Sequence, residues 1–322
     1  MRPQEPPFAL QVEAAEGCSL ACSFCALQSI RDNGANAETG THGKNSAPYR
    51  FMKRETARRL ASEVVRLAWN PRWEFAMHGE PTMHPDLPGL VREVRTALPK
   101  ASIMVTSNGS GLLKPERLFD LLHAGINTLV LDDYKHAPGW VAKITELLDM
   151  CSVPFTYYPD DLTVSPHARH SGQRIVVICD ISDNASGNHQ LTNQGGCSFN
   201  GLKEPLAERC AKPFRELSVR WDGNVALCCD DWRGEYKIAN VLSMPLDDVW
   251  NHPHFDAARR RLYAKDRAFG PCKGCDVRTY RNGLLPDKMG KEAMPAPDTA
   301  SEAHLRAAMR GRVFSIKLGK GD

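Results

Sequence analysis

Three cysteines within eight residues, Cys18, Cys22 and Cys25, stand directly after the first β-like run of the chain, Phe8-Ala9-Leu10-Gln11-Val12. Thiolates at that spacing on one loop can each take one corner of a cubic [4Fe–4S] cluster, whose protein ligands are cysteine sulfurs. Three ligands for four irons leave one iron open to bind and activate a small molecule. A structural zinc site would need a fourth ligand, here a distant His, and the spacing leaves that alternative open.

The chain carries 11 cysteines in 322 residues, and an odd count fits a disulfide framework poorly. In a reducing compartment, clustered thiols more often hold metal or do redox chemistry. A second group, Cys210, Cys228, Cys272 and Cys275, ends in C-x2-C and has a hairpin signal, Asp222-Gly223, inside its long gap. A two-residue type I′ turn there brings Cys228 back towards Cys210, and the 272–275 knuckle closes the site from the other side. Four ligands make a saturated cluster or a structural zinc, and on these residues alone zinc is the favoured reading. Cys229 adjoins Cys228 and could swap with it as ligand, but the Gly-x4-Cys spacing from Gly223 favours Cys228. Cys151, Cys179 and Cys197 stand singly and read as buried or structural thiols, with Cys197 the one that could line an active site.

Between the two groups, short β-like runs alternate with amphipathic helices. The runs are 8–12, 73–77, 103–105, 128–131, 154–158 and 175–178. Residues 54–68 place Ala57, Leu60, Ala61, Val64 and Ala68 on one helical face, and helices are also expected near 87–98, 115–124 and 139–150. Six β/α units argue an α/β fold with a parallel sheet and right-handed crossovers, too few for a closed eight-stranded barrel. An open or partial barrel is expected over residues 1–185, with a linker at 186–209. Arg259-Arg260-Arg261 fall in a helix expected over 246–263 and read as a solvated face. Residues 286–322 read as a flexible tail, with Thr299 and Glu302 as a capping box for a short helix.

The segment Gly17-Cys18-Ser19-Leu20-Ala21-Cys22-Ser23-Phe24-Cys25, with an aromatic before its last cysteine, resembles the signature of the radical S-adenosylmethionine (SAM) superfamily. The resemblance implies a partial (β/α)6 barrel, which agrees with the six units counted from periodicity. It also implies that the open iron chelates the amino and carboxylate groups of SAM. An electron then cleaves the sulfonium, giving methionine and a 5′-deoxyadenosyl radical that abstracts hydrogen from substrate. His78-Gly79-Glu80-Pro81 is similar to the family's Gly-Gly-Glu-Pro turn, with His78 in place of the first glycine. Gly79 and Glu80 are therefore expected near the methionyl amino group. Thr106-Ser107-Asn108-Gly109 resembles the family's next loop, which makes Ser107 and Asn108 candidates for SAM contact. Asp132, at the end of the fourth strand, is a candidate for the ribose. An electron donor such as flavodoxin or ferredoxin is the implied partner.

The stretch from Pro213 through Trp221-Asp222-Gly223 to Cys228, with Trp250 and Cys272-Lys273-Gly274-Cys275, resembles the shortened SPASM domain called twitch. That resemblance implies a small α+β unit over 210–285 and turns the second cysteine group from zinc to one auxiliary [4Fe–4S] cluster.

Two reaction classes follow. One is oxidation, with the auxiliary cluster taking the second electron, as in peptide-modifying relatives and some that oxidise small metabolites. The other is isomerisation on a modified nucleobase or nucleotide, as in relatives that shift an amino-acid adduct on thymine in viral DNA. A peptide maturase and a non-catalytic iron–sulfur scaffold are further alternatives. The substrate class, whether small molecule, nucleotide or DNA, or peptide, is left open by a net charge of only +3. Tyr157, Tyr158, Asp230, Asp231 and Cys197 are candidate substrate-facing residues. No dinucleotide fingerprint, P-loop or His-Glu-x-x-His occurs. With neither a signal peptide nor a membrane-length apolar run, the expected place is the cytoplasm.

Overall fold

The computed structural model describes residues 5–20, 22, 24–27, 49–134, 139–150, 155–159, 175–180, 192–198 and 201–278, of which 155–159 and 175–180 are described as backbone only. Cys151, the 279–322 tail with Thr299 and Glu302, and the side chains of Tyr157, Tyr158 and Cys179 lie outside these residues.

The strands are β1 (Ala9–Val12), β2 (Ala15–Glu16), β3 (Arg50–Phe51), β4 (Arg72–Phe75), β5 (Ile103–Ser107), β6 (Thr128–Asp133), β7 (Phe155–Pro159), β8 (Ile175–Asp180), β9 (Glu216–Val219) and β10 (Val225–Ala226). Eight of them form one sheet in the order β10-β9-β1-β4-β5-β6-β8-β7, while β2 and β3 pair separately. The six strands expected from periodicity are all parallel to their neighbours within the sheet. Every residue of β1 and β4 is buried, as suits a parallel strand with both faces covered.

Sequence order is broken at one end, where β8 inserts between β6 and β7. The β-branched run of β8 suits a strand with neighbours on both sides. β7 ends in Pro159, which has no N–H to donate and belongs on an edge.

The first helix, Arg54–Arg66, buries Thr56, Ala57, Leu60, Ala61 and Val64. Full burial of a Leu or Val side chain contributes about 1.5–3 kcal/mol. Ala68, expected on that face, is instead exposed, with φ of 52° just beyond the helix end. The next helix, Leu87–Ala97, starts at Asp86, whose Oδ1 accepts the Gly89 N–H at 2.9 Å.

The cysteine-rich C-terminal part is not hydrogen-bonded apart from the barrel. β9 runs parallel to β1 with Leu10 opposite Leu217, and one apolar core runs from Leu10 and Phe75 to Leu217, Trp250 and Phe255. The region expected as a linker also packs: Asn193 is buried, donates from Nδ2 to Gly274 O at 2.7 Å and accepts the Asp276 N–H.

Three local expectations are corrected. The turn between β9 and β10 has three residues, Trp221 to Gly223, not two. Gly223 N–H bonds Arg220 O at 2.9 Å and Arg220 N–H bonds Asn224 O at 2.8 Å. Gly223 has φ of 84°, while Asp222 is not left-handed and accepts the Asn224 N–H on its carboxylate. A type I′ turn requires positive φ at both central residues, so an Asx-type turn has replaced it.

The helix expected over 246–263 is two helices, Leu246–Trp250 and Pro253–Tyr263. Pro253 forces His252 out of the helical region, to ψ of 138°, and then starts the second helix.

The arginine triplet is not one solvated face. Arg259 is 1% exposed, lies between the rings of Trp250 and Phe255, and donates to Pro213 O and Trp250 O. Burial pulls its pKa down to about 9. At helical spacing one of three consecutive residues turns inward, here stacked on aromatic rings.

Candidate active site between two cysteine groups

β1 delivers the chain through Glu13 and β2 to Gly17 and Cys18, and the first cysteine loop lies over the carboxyl ends of the parallel strands. Cys18, Cys22 and Cys25 are all partly exposed. Cys25 N–H bonds Cys22 O at 3.1 Å, which closes a tight turn between the last two cysteines. Cys18 Sγ accepts the Leu20 N–H at 3.3 Å and faces Asn108 Nδ2 at 3.5 Å.

Gly79 belongs to the same site. Glu80 N–H bonds Gly17 O at 2.8 Å, and a Cβ on Gly79 would fall inside the van der Waals radius of the Ala15 carbonyl oxygen. Only glycine allows the 78–81 turn to press this closely against the cysteine loop.

The Glu80 carboxylate organises the turn. Oε1 accepts from Thr82 N (2.9 Å), Thr82 Oγ1 (2.5 Å) and Ser107 Oγ (2.6 Å), and Oε2 accepts the Asn108 N–H (2.8 Å). Burial nevertheless pushes its pKa up, against the pull of these donors. Glu80, Ser107 and Asn108, predicted separately from two loops, thus form one cluster beside Cys18. Asp132 accepts the Tyr134 hydroxyl at 3.0 Å, and Tyr134 packs on Phe24 of the cysteine loop. Burial first, then the Glu80 charge, raise the Asp132 pKa to about 7.

The second group comes together more tightly. Cys210, Cys228, Cys272 and Cys275 are all buried and line a single cavity with Leu262 and Val277. Burial pushes each thiol pKa up, Cys275 to about 12, while Lys212 and Arg267 pull the other way. Four buried thiols around one cavity, whose wall also carries the Lys212–Asp230 ion pair and Arg267, fit an iron–sulfur cluster. Among the described residues, no three His, Cys, Asp or Glu converge on a point that would hold one metal ion. A cube with one thiolate per corner needs no such convergence.

Arg267 holds the cavity closed. Its guanidinium is buried and donates to Glu208 O, Arg209 O and Val277 O at 2.8–2.9 Å, which ties the segment before Cys210 to the one after Cys275.

Cys229, the competing ligand, points elsewhere: its Sγ lies 2.9 Å from Lys212 Nζ and is not on the cavity wall. Asp230 pairs with Lys212 at 2.6 Å. Asp231 accepts the N–H groups of Glu235 and Tyr236. Of the two acids predicted as substrate-facing, Asp231 therefore sits in a local turn network, whereas Asp230 lies on the wall of the four-thiol cavity. Cys197 is buried against Ala26 and Trp232, between the two cysteine groups, and burial raises its pKa.

His78, noted from sequence only as a replacement for a glycine, has contacts that the sequence did not foretell. It is buried, with Nδ1 3.1 Å from Glu13 Oε1 and Nε2 3.0 Å from the Cys229 carbonyl oxygen. Trp232 packs on its ring at 4.6 Å. The signal was its place in the turn, where a bulky polar residue needs partners that a glycine does not. Glu13 also receives Arg220 Nε and the Trp221 N–H, and Glu16 receives Arg220 and the Trp221 indole. These bonds join the base of the first cysteine loop to the β9–β10 turn.

No curated protein sequence matches the chain. Two family models do, the radical SAM superfamily over residues 12–132 and the iron–sulfur cluster-binding SPASM domain over residues 210–276. Among solved structures the fold is similar to that of BtrN in complex with AdoMet and 2-DOIA. The two share 20% identity with a TM-score of 0.62, over 85% of this chain and 94% of that one. It is also similar to anSMEcpe with bound AdoMet, at 14% identity and a TM-score of 0.50 over 95% of this chain and 98% of that one. A further anSMEcpe structure, with AdoMet and the Kp18Cys peptide, matches at 15% identity with the same TM-score. With a three-cysteine loop and a buried four-thiol cavity, each inside its matching domain, the chain belongs to the radical SAM superfamily and carries a C-terminal SPASM-type iron–sulfur domain.

Proposed function

We propose that this chain oxidises a bound substrate by SAM-derived radical chemistry and passes the second electron to its auxiliary cluster. Cys18, Cys22 and Cys25 would hold the SAM cluster, and Cys210, Cys228, Cys272 and Cys275 the auxiliary one. When bound, the first cluster and SAM supply an electron and a sulfonium whose cleavage yields a 5′-deoxyadenosyl radical.

The protein's own part is positioning. The Glu80 carboxylate draws the 78–81 turn and the 107–110 loop together beside Cys18, with one lone pair of Oε2 left for an ammonium group of SAM. Asp132, raised to about 7, sits at the end of β6 as an acceptor for ribose hydroxyls. Tyr134 packs on Phe24 and so braces the cysteine loop against the end of β6.

The observation that carries oxidation over isomerisation is the contact between the two sites. His78 of the SAM-side turn meets the carbonyl of Cys229, the residue next to Cys228. An isomerisation returns its electron and needs no second redox centre joined to the first. The test is oxygen-free reconstitution, metal and sulfide analysis, then SAM and reductant. About eight irons per chain with 5′-deoxyadenosine formed supports the reading. About four irons and one zinc would remove the electron acceptor, and no SAM cleavage by folded, iron-loaded protein would end it.

A further inference from the structure

Beside the first cysteine loop, on the β9–β10 side, a groove of about 170 Å³ spans the seam between the barrel and the C-terminal domain. The barrel contributes Glu16 and Arg50. The other side contributes Trp221, Arg233 and Lys237, with Arg220 also on the wall. Four cationic side chains face two carboxylates, Glu16 and Asp222. Asp222 is engaged by Asn224, and Arg220 by Glu13 and Glu16. The Arg50 guanidinium lies over the Trp221 ring at 5.3 Å.

The second observation is an orphaned oxygen. Glu16 is 3% exposed. Its Oε2 is held by Arg220 and the Trp221 indole at 3.0 and 2.9 Å, whereas its buried Oε1 has no hydrogen-bond partner among the described residues. A buried carboxylate oxygen without a donor is costly, so such a group asks for a ligand hydrogen.

We propose that this groove binds a phosphorylated sugar moiety, free or as part of a nucleotide. The phosphate would lie on Arg50, Arg233 and Lys237, and a sugar hydroxyl would donate to Glu16 Oε1 once that carboxylate, closed off from the groove in this structure, turns towards it. An ammonium donor fits less well, because Arg220 already stands beside that carboxylate. The volume is below the roughly 300–1,000 Å³ of a pocket for a whole ligand, and suits one pentose phosphate. As the substrate's anchoring subsite, the groove rests on the radical reading above, yet its occupancy can be measured without reductant, so the two ideas fail separately.

The experiment is equilibrium dialysis of the iron-loaded protein, without oxygen or reductant, against ribose 5-phosphate, uridine 5′-monophosphate, ribose and inorganic phosphate. Ribose 5-phosphate or the nucleotide should bind at least about tenfold more tightly than inorganic phosphate, and the tighter of the two identifies the source. The exposed pair Arg233→Ala with Lys237→Ala should weaken that binding about tenfold or more, with thermal unfolding unchanged. Glu16→Ala should bring ribose 5-phosphate down to the affinity of inorganic phosphate. Equal binding of all phosphates, an unaffected double variant, or displacement of the probe by SAM would each overturn the proposal.

Discussion

His78 and Cys229 are joined across the molecule: the imidazole Nε2 lies 3.0 Å from the Cys229 carbonyl oxygen, while Nδ1 meets Glu13. Both ring nitrogens face acceptors, so both bonds are made only when each nitrogen carries a hydrogen. Replacing His78 with Ala strips the buried Glu13 of a donor and opens a gap under Trp232. We expect a loss of about 2–4 kcal/mol in unfolding free energy, measured by denaturant titration. The proposed auxiliary cluster should also change its electron paramagnetic resonance spectrum, which a purely structural loss elsewhere would leave alone.

Glu13 and Glu16 give opposite pH signatures. Burial raises the Glu13 pKa, but Arg220, His78 and the Trp221 N–H outweigh it and hold the value at about 2. Its contribution is therefore complete above the usual 4.5 and is lost as pH falls towards 2. Glu16 stands at about 7, mainly through burial and the Glu13 charge. Its contribution is complete below 4.5 and is lost as pH rises to 7, by an amount on the order of 3 kcal/mol. Glu16→Gln should flatten stability between pH 4.5 and 7, and an unchanged slope there would refute the assignment.

The ligand assignment predicts a clean split. Cys228→Ser should lower iron by about four per chain and keep SAM cleavage, whereas Cys18→Ser should abolish cleavage. Cys229→Ser should leave iron content unchanged, because that thiol faces Lys212. Iron loss in the Cys229 variant in place of the Cys228 variant would exchange their roles.

Arg267 should matter to the auxiliary site without being a ligand. Arg267→Met keeps the apolar stem and removes the donors to two carbonyls before Cys210 and one after Cys275. We expect about 3 kcal/mol of destabilisation and faster loss of iron to a chelator. A variant that retained iron like the parent would show that the cavity closes without it.

Gly79→Ala places a methyl against the Ala15 carbonyl, which is main chain and cannot swing away. The expected cost exceeds about 3 kcal/mol, seen as poor recovery of folded protein. A soluble variant with normal SAM cleavage would mean that the turn can retreat from the cysteine loop.

What the sequence determined alone was whatever depends on near neighbours. Strands and helices of the barrel follow from periodicity, which is local, and both cysteine groups were recognisable because ligand spacing is a property of the chain. Even locally, Pro253 and Asp222 overrode the broader pattern, since a proline ring and an Asx turn act within three residues. The tertiary structure decided how distant parts meet: β9 against β1, β8 between β6 and β7, and Arg259 against two rings. It also decided the use of His78, which needed Glu13 from 65 residues away and Cys229 from 151 residues away. Pairing and burial over such separations depend on register and packing of the whole sheet, and no window of sequence contains them.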